Sequence, residues 1–218
     1  GFSNKWREWI QNFVTGGSVA IKVNDDVGHY FQTKKGLRQG DSLSPMLFNI
    51  VADMLATLIE RAKQDGQIAG VVPHPVDGGL SILQYADDTI LFMEHDLDKA
   101  RNLKLLLSAF EQMSGLKINF HKSELFCFGE AKETAAQYAD LFGCAQGQFP
   151  IKYLGIPIHY RRLTNAEWKH VEERLEKRLS SWKGKLLSVG GRLVLINSVL
   201  TNMVLYMLSF FQLPKGVL

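Results

Sequence analysis

The chain has 218 residues, 46% of them hydrophobic and 22% charged, an ordinary balance for a globular protein with enough apolar material for a true core. Its net charge of +3 is compatible with a nucleic-acid partner but does not demand one, and only two cysteines exclude a disulfide-built scaffold. Cys127 and Cys144 form no Cys-x-x-Cys pair, and together with His121 and His159 they are spaced too irregularly for a zinc site, so free thiols in a reducing compartment are expected.

Ser3 is placed to cap a helix running to about Val14, with Trp6, Trp9, Ile10 and Phe13 at helical spacing. The chain opens on Gly1 and enters this pattern at once, so it is expected to begin inside something longer. No signal peptide is visible there, and a nuclear or cytoplasmic address is expected. The stretch "SVAIKVNDDVGHYFQTKK" predicts two strands around an Asn-Asp-Asp-Val-Gly turn. Next comes "GLRQGDSLSP", with two glycines close together beside Arg38 and Gln39, and Ser44-Pro45 opens a helix that runs to about Gln64 and stops before Gly66.

Glycine-rich "DGG" precedes a strand, a bend and a second strand around Asp87 and Asp88. Asp96 or Asp98 caps the following helix, whose Leu103, Leu106, Leu107, Phe110 and Met113 form an apolar stripe that Gly115 ends. "LKINFHKSELFCFG" predicts a short strand, a turn and a second strand, followed by a helix near residues 131–142 and the extended "IKYLGIPIHY". Thr164 and Glu167 make a Thr-x-x-Glu capping box for a long helix reaching Trp182.

From Thr164 to Arg192 there are seven Lys or Arg against four Glu, an excess equal to the net charge of the whole chain. Such interspersed charge fits either a solvated helix face or a phosphate-facing one. Leu193 to Phe211 carries no charge over 19 residues, near the length that spans a bilayer. Its polar residues fall near one stripe and Leu193, Ile196, Leu200, Met203, Met207 and Phe211 on another, so a buried amphipathic helix is expected rather than a membrane span. The order of elements predicts an α+β fold: an antiparallel sheet with helices packed on one face, followed by an α-helical lobe from about residue 163.

The chemistry concentrates at "LQYADDTILF", residues 83–92, where two adjacent carboxylates sit between β-prone runs. Like charges side by side cost energy unless something neutralises them, and a cation or a solvated turn can do so. Side chains alternate along a strand, so both carboxylates can reach one cation only at a hairpin tip. Mg²⁺ prefers hard oxygen donors and is commonly held by one or two carboxylates plus substrate phosphates.

"GLRQGDSLSP", "YADD", "GLKINFHKSE" and "YLGIPI" occur in this order, and together they resemble the palm of reverse transcriptases. More narrowly, they resemble the enzyme of non-LTR (LINE-type) retrotransposons, especially the plant branch, in which "WKGKLLSVGGRLVLINSVLTNMVLYMLS" is similar to the segment after the palm. The resemblance covers nearly the whole chain. It implies a partial fingers/palm over residues 1–162 and the start of a helical thumb over 163–218. It further implies two-metal nucleotidyl transfer, with Mg²⁺ (Mn²⁺ as the alternative) as cofactor and an RNA template, a DNA primer and dNTPs as partners.

Carried over residue by residue, Asp87 matches the main metal-binding aspartate and Asp88 its supporting neighbour, while Tyr85 and Ala86 shape the floor under the primer end. Gln39 and Gly40 match positions near the incoming nucleotide and template base; glycine also lets a backbone approach a base pair closely. Arg38 and Asp41 organise that loop, and Ser42, Ser44 and Pro45 launch its helix. Lys122 matches a lysine that assists pyrophosphate departure. Tyr153, Leu154 and Gly155 match the element that grips the primer, and the basic helices would follow the duplex backbone. The family's third carboxylate, in a phrase like "DxxKAFD", has no match in residues 1–40, where Asp25 and Asp26 read as turn residues. The chain alone is therefore expected to be inactive. Two other readings share the motifs: a nucleic-acid-binding remnant without chemistry, and a group II intron maturase-like protein.

Overall fold

Ser3 begins the first helix as its sequence position predicts: its hydroxyl accepts the Trp6 N–H, satisfying one of the donors that a helix start leaves free. The computed structural model describes residues 1–33, 36–72, 78–181 and 188–212, in two compact units, Gly1–Ile118 and Asn119–Leu218.

In the first unit, helix α1 (Asn4–Thr15) is followed by four two-residue strands. Strands β2 (Lys22–Val23) and β3 (Asp26–Val27) form a hairpin, and β1 (Ser18–Val19) pairs with β4 (Phe31–Gln32) outside it. Asn24 and Asp25 turn the hairpin with φ of 48° and 68°, the paired left-handed geometry that suits right-twisted strands and that Asn and Asp tolerate best. Helix α2 (Ser44–Gln64) has Pro45 in its first turn, one residue after its start, and ends ahead of Gly66. Strands β5 (Ile82–Tyr85) and β6 (Asp88–Leu91) form the acidic hairpin. Helix α3 (Leu97–Ser114) is capped by Asp96, whose carboxylate accepts the Asp98 and Lys99 N–H groups, and Gly115 closes it at φ 72°.

The core of this unit lies between α2 and α3. Leu47, Leu55, Ile59 and Ala62 are buried on α2, and Ala100, Leu103, Leu107 and Phe110 on α3, each set at one-turn or two-turn spacing. The stripe predicted for α3 is narrower than expected: Leu106 is half-buried and Met113 is exposed, because Gly115 ends the helix just beyond Met113.

In the second unit, β7 (Glu124–Leu125) pairs in parallel with β8 (Ala145–Gln146). The first of the two strands expected in "LKINFHKSELFCFG" does not form. Asn119 instead starts a turn: its carbonyl and side chain both accept the Lys122 N–H, and its carbonyl also accepts the Ser123 hydroxyl. The helix expected over 131–142 is a 3₁₀ turn, Gly129–Lys132, followed by α4 (Ala135–Phe142). "IKYLGIPI" folds as a hairpin of β9 (Ile151–Tyr153) and β10 (Ile156–Ile158).

Helix α5 (Asn165–Ser181) comes next, with Trp182 outside the described residues. Then α6 (Val189–Leu195), a π turn (Ile196–Leu200) and α7 (Thr201–Leu208) run on from one another. The buried set here includes Trp168, Leu195 and Met207, whereas Leu193 and Ile196 are exposed. That corrects the stripe predicted for 193–211. A π turn carries an extra residue and rotates the helix after it by about 100°, so a single straight stripe cannot stay on one side. The side chains of Leu200 and Met203 lie outside the described residues.

The α+β class holds, with small sheets and many helices. The larger antiparallel sheet does not: the strands pair as five two-stranded sheets among the described residues, four antiparallel and one parallel. Strands of two to four residues offer too few ladder bonds to recruit a third neighbour. Among these residues, no helix is long and apolar enough to cross a membrane. The division between units falls at Ile118/Asn119, while residue 163 lies inside the second unit just ahead of α5.

Candidate active site

The loop ahead of α2 is organised by Asp41. One of its carboxylate oxygens accepts both the Ser44 N–H at 3.0 Å and the Ser44 hydroxyl at 2.9 Å, so Asp41 caps the helix through its side chain. Gly40 lies at φ 82°, a conformation that other residues adopt only under strain, and the space where a Cβ would project is open. Arg38 and Gln39 line a pocket of about 310 Å³ together with Phe13, Val14 and Thr33. The Arg38 guanidinium packs onto Gly17: a Cβ there would lie 1.3 Å from a guanidinium nitrogen. Arg38 thus ties the loop to the turn after α1. Gly17 was not singled out from the sequence, although the Gly16-Gly17 pair was its visible signal.

Asp87 and Asp88 stand at the tip of the β5–β6 hairpin, with Tyr85 opposite Asp88 in the register. Ala86 makes the turn at φ 51°, a left-handed conformation costing about 1–2 kcal/mol in a residue with a Cβ. Tyr85, Ala86, Asp87 and Asp88 are all exposed, and among the described residues neither carboxylate has an ion-pair partner. The solvated turn and the cation therefore both remain open to this tip.

Two hydrogen bonds orient the hairpin. Lys63, near the end of α2, donates to the Gly79 carbonyl at 3.2 Å, and Gln84 donates its amide to the Ala52 carbonyl, earlier in α2, at 3.4 Å. As the chain moves from Gly79 to Gln84 it therefore travels back along α2, antiparallel to the helix. Ala52 lies about 12 Å along the helix from Ser44, and the residues from Gln84 to Asp87 extend up to about 10 Å further. From Gln84 the acidic tip therefore points toward the end of α2 at which the Arg38–Gly40 loop enters the helix.

In the second unit, Leu154 (φ 50°) and Gly155 (φ 81°) turn the β9–β10 hairpin, and nothing occupies the space beside Gly155. Leu154 is 41% exposed in its left-handed conformation, and its carbonyl accepts the Tyr206 hydroxyl at 2.9 Å. Tyr206 had no local sequence signal, being 52 residues away. Tyr153, at the end of β9, is half-buried. Lys122 is exposed in the Asn119 turn. Burial pushes the Cys127 thiol above its usual range, with Cys144 adding to the effect, so Cys127 is a poor nucleophile.

Glu167 holds the start of α5. It accepts the Thr164 N–H at 2.6 Å and the Thr164 hydroxyl at 2.9 Å. The backbone N–H of Thr164 holds its carboxyl below the usual range, aided by the Thr164 hydroxyl, Arg161 and His159 against an opposing effect of burial.

As a cation holder, the Asp87 tip presents hard, unneutralised oxygens, which suits a divalent ion shared with phosphates. Among the described residues, no group of three His, Cys, Asp or Glu side chains forms a complete ligand set.

The family model described as reverse transcriptase (RNA-dependent DNA polymerase) matches residues 2–158. The chain is 25% identical over 212 residues to the Transposon TX1 uncharacterized 149 kDa protein of Xenopus laevis, covering 95% of this chain and 16% of that protein. It is 31% identical over 121 residues to a retrovirus-related Pol polyprotein from type-1 retrotransposable element R2 of Popillia japonica, covering 53% of this chain and 16% of that protein. With the Pol polyprotein from type-2 retrotransposable element R2DM of Drosophila melanogaster the identity is 28% over 165 residues, covering 68% and 14%. The chain thus spans about a sixth of the length of these relatives.

Proposed function

The chain belongs to the reverse transcriptase (RNA-dependent DNA polymerase) family, and from that premise we propose that it supplies part of the nucleotidyl-transfer centre of a non-LTR retrotransposon polymerase, one that extends a DNA primer on an RNA template. The observation that supports this reading is the antiparallel run of β5 along α2, which directs an unpaired acidic tip toward the helix end where the glycine loop lies in sequence. The plant-branch placement is a narrower proposal, resting on the segment "WKGKLLSVGGRLVLINSVLTNMVLYMLS" that begins at Trp182.

Asp87 and Asp88 would hold Mg²⁺ or Mn²⁺, with Asp87 the main ligand. When bound, such an ion neutralises nucleotide phosphates and favours loss of the proton from the attacking 3′ hydroxyl. Gln39 would contact the incoming nucleotide, and open Gly40 would let the base pair lie against the backbone. Arg38, braced on Gly17, would keep that pocket in shape, while Tyr85 and Ala86 form the floor beneath the primer end. In the second unit, the Tyr153–Gly155 hairpin would hold the primer strand, Lys122 would offset charge on departing pyrophosphate, and α5 would follow the duplex backbone.

Primer extension on an RNA template with Mg²⁺ tests the reading, using a retrotransposon Pol protein that contains this chain. Asp87→Asn should lower incorporation by orders of magnitude while primer–template binding stays nearly intact. Near-normal synthesis by that variant would remove Asp87 as a ligand. For the 218-residue chain alone no incorporation is expected, and robust synthesis would show that two carboxylates suffice. A second reading, nucleic-acid binding without chemistry, is favoured by the lack of a three-ligand cluster among the described residues. It predicts salt-sensitive binding with no incorporation in the longer protein as well.

A further inference from the structure

The second unit contains a pocket of about 410 Å³ at the open end of the β9–β10 hairpin, opposite its Leu154–Gly155 tip. Gln148 and Phe149 approach it just before β9, Tyr160 and Arg161 leave it just after β10, and Lys132 and Gln146 add to the wall. None of the residues lining it is Asp or Glu.

Lys132 has its ammonium 5.4 Å from the centre of the Tyr160 ring and 3.5 Å from the Tyr160 hydroxyl, with no carboxylate partner among the described residues. A cation left unneutralised on a carboxylate-free pocket favours an anionic ligand. Arg161 stands at the rim with its side chain 47% exposed, loosely restrained by Glu167 at 3.5 Å, and its backbone N–H donates to His159 Nδ1 at 3.1 Å.

The rings supply the other half of a recognition surface. Phe128 stacks on Tyr160 with centroids 5.9 Å apart and planes 17° from parallel, and Phe149 meets Tyr160 edge-on at 5.0 Å. Phe128 and Tyr160 are nonetheless 47% and 53% exposed, a stacked pair with aromatic surface left over. Gln146 and Gln148 bring amides able to donate and accept at the edge of a base. An inorganic anion would use only the cations, and an apolar ligand only the rings. Part-exposed rings, amides and a Lys132 ammonium with no carboxylate partner among the described residues together match a base joined to a phosphate.

We infer that this pocket binds a nucleoside phosphate, with the base against the part-exposed Tyr160 ring, which Phe128 backs by stacking, and the phosphate between Lys132 and Arg161. It is separate from the polymerase reading, since none of these residues belongs to the loop or the hairpin tips assigned there. A nucleotide within a single strand and a free nucleotide share this chemistry.

The test is photocrosslinking of the 218-residue chain to a single-stranded octanucleotide carrying one 5-iodouracil, with peptide mapping and competition by UMP or uridine. Crosslinks should map to the peptides holding Phe128, Phe149 or Tyr160. Tyr160→Ala, at an exposed position, should weaken binding by about fivefold to a hundredfold, the range expected for one stacked base. Tyr160→Phe keeps the ring and should retain most of the crosslink, whereas Lys132→Gln should weaken binding and make it less sensitive to salt. Competition by millimolar UMP identifies a free nucleotide as an occupant; resistance to UMP identifies the strand. The inference is overturned if crosslinks map only elsewhere, if Tyr160→Ala and Lys132→Gln both bind as the parent does, or if uridine competes as well as UMP.

Discussion

Ala86 sits at φ 51° between Tyr85 and Asp87, where a Cβ is a steric liability and glycine would be relaxed. Ala86→Gly is therefore expected to stabilise the first unit by about 0.5–1 kcal/mol, read from urea denaturation, less whatever freedom glycine adds to the unfolded chain. A loss of stability would mean that the methyl group makes a contact outweighing the strain. Strain of this kind can collect where geometry serves a ligand, and Leu154 repeats it at the β9–β10 tip, as do Asn24 and Asp25 at the β2–β3 turn. At this scale the caps were legible in the sequence: Ser3, Asp96 and the Thr164–Glu167 pair all take up terminal N–H groups or their neighbours, because capping is a short-range bond between residues two or three apart. The Arg38–Gly17 contact was not, since a long flexible side chain can reach many backbone positions and only the fold selects one.

Among the elements, the β9–β10 hairpin is tied to α7 by a bond from the Tyr206 hydroxyl to the Leu154 carbonyl. Tyr206→Phe is expected to destabilise the second unit by about 0.5–1.5 kcal/mol and to speed hydrogen exchange at the hairpin tip, measured by mass spectrometry. Unchanged exchange at the tip would show that the strands alone hold it. Helix α5 carries a pH dependence of defined sign. Because Glu167 titrates below its ordinary value of 4.5, it contributes stability that is present above that value and lost as the pH falls through its depressed folded value. Glu167→Gln should flatten the acid limb of a stability–pH curve below about pH 4.5, and a curve identical to the parent's would remove this carboxylate from the helix start. Element types were largely readable from period and punctuation. The first strand expected in "LKINFHKSELFCFG" failed because Asn119 directed its backbone into a local turn, and the stripe at 193–211 failed because a π turn broke its period.

For the molecule as a whole, the excess of three positive charges between Thr164 and Arg192 comes from Lys183, Lys185 and Arg192, since the four Lys or Arg of α5 are balanced by its four Glu; that charge bears on affinity rather than on the fold. Binding of a primer–template duplex should weaken with salt, the slope of log K against log salt being about −0.9 per phosphate neutralised. Lys169→Ala, at an exposed position of α5, should make that slope shallower by about one if α5 follows the backbone; an unchanged slope would take Lys169 off the duplex. Family membership was legible from four ordered motifs, and the α+β class from alternating periodicities, because both are written in residues near one another along the chain. The extent of the sheets was not, since pairing depends on which strands meet in space and on how many ladder bonds each can offer. Sequence alone determined the acidic turn, the glycine loop and the helix between them. Only the tertiary structure decided that β5 returns antiparallel along α2, and that Lys132, Phe149 and Tyr160 surround a common pocket. The physical reason is that capping and periodicity act over a few residues, whereas the contacts joining Lys63 to Gly79, Gln84 to Ala52 and Lys132 to Tyr160 close loops of 16 to 32 residues whose ends no local preference specifies.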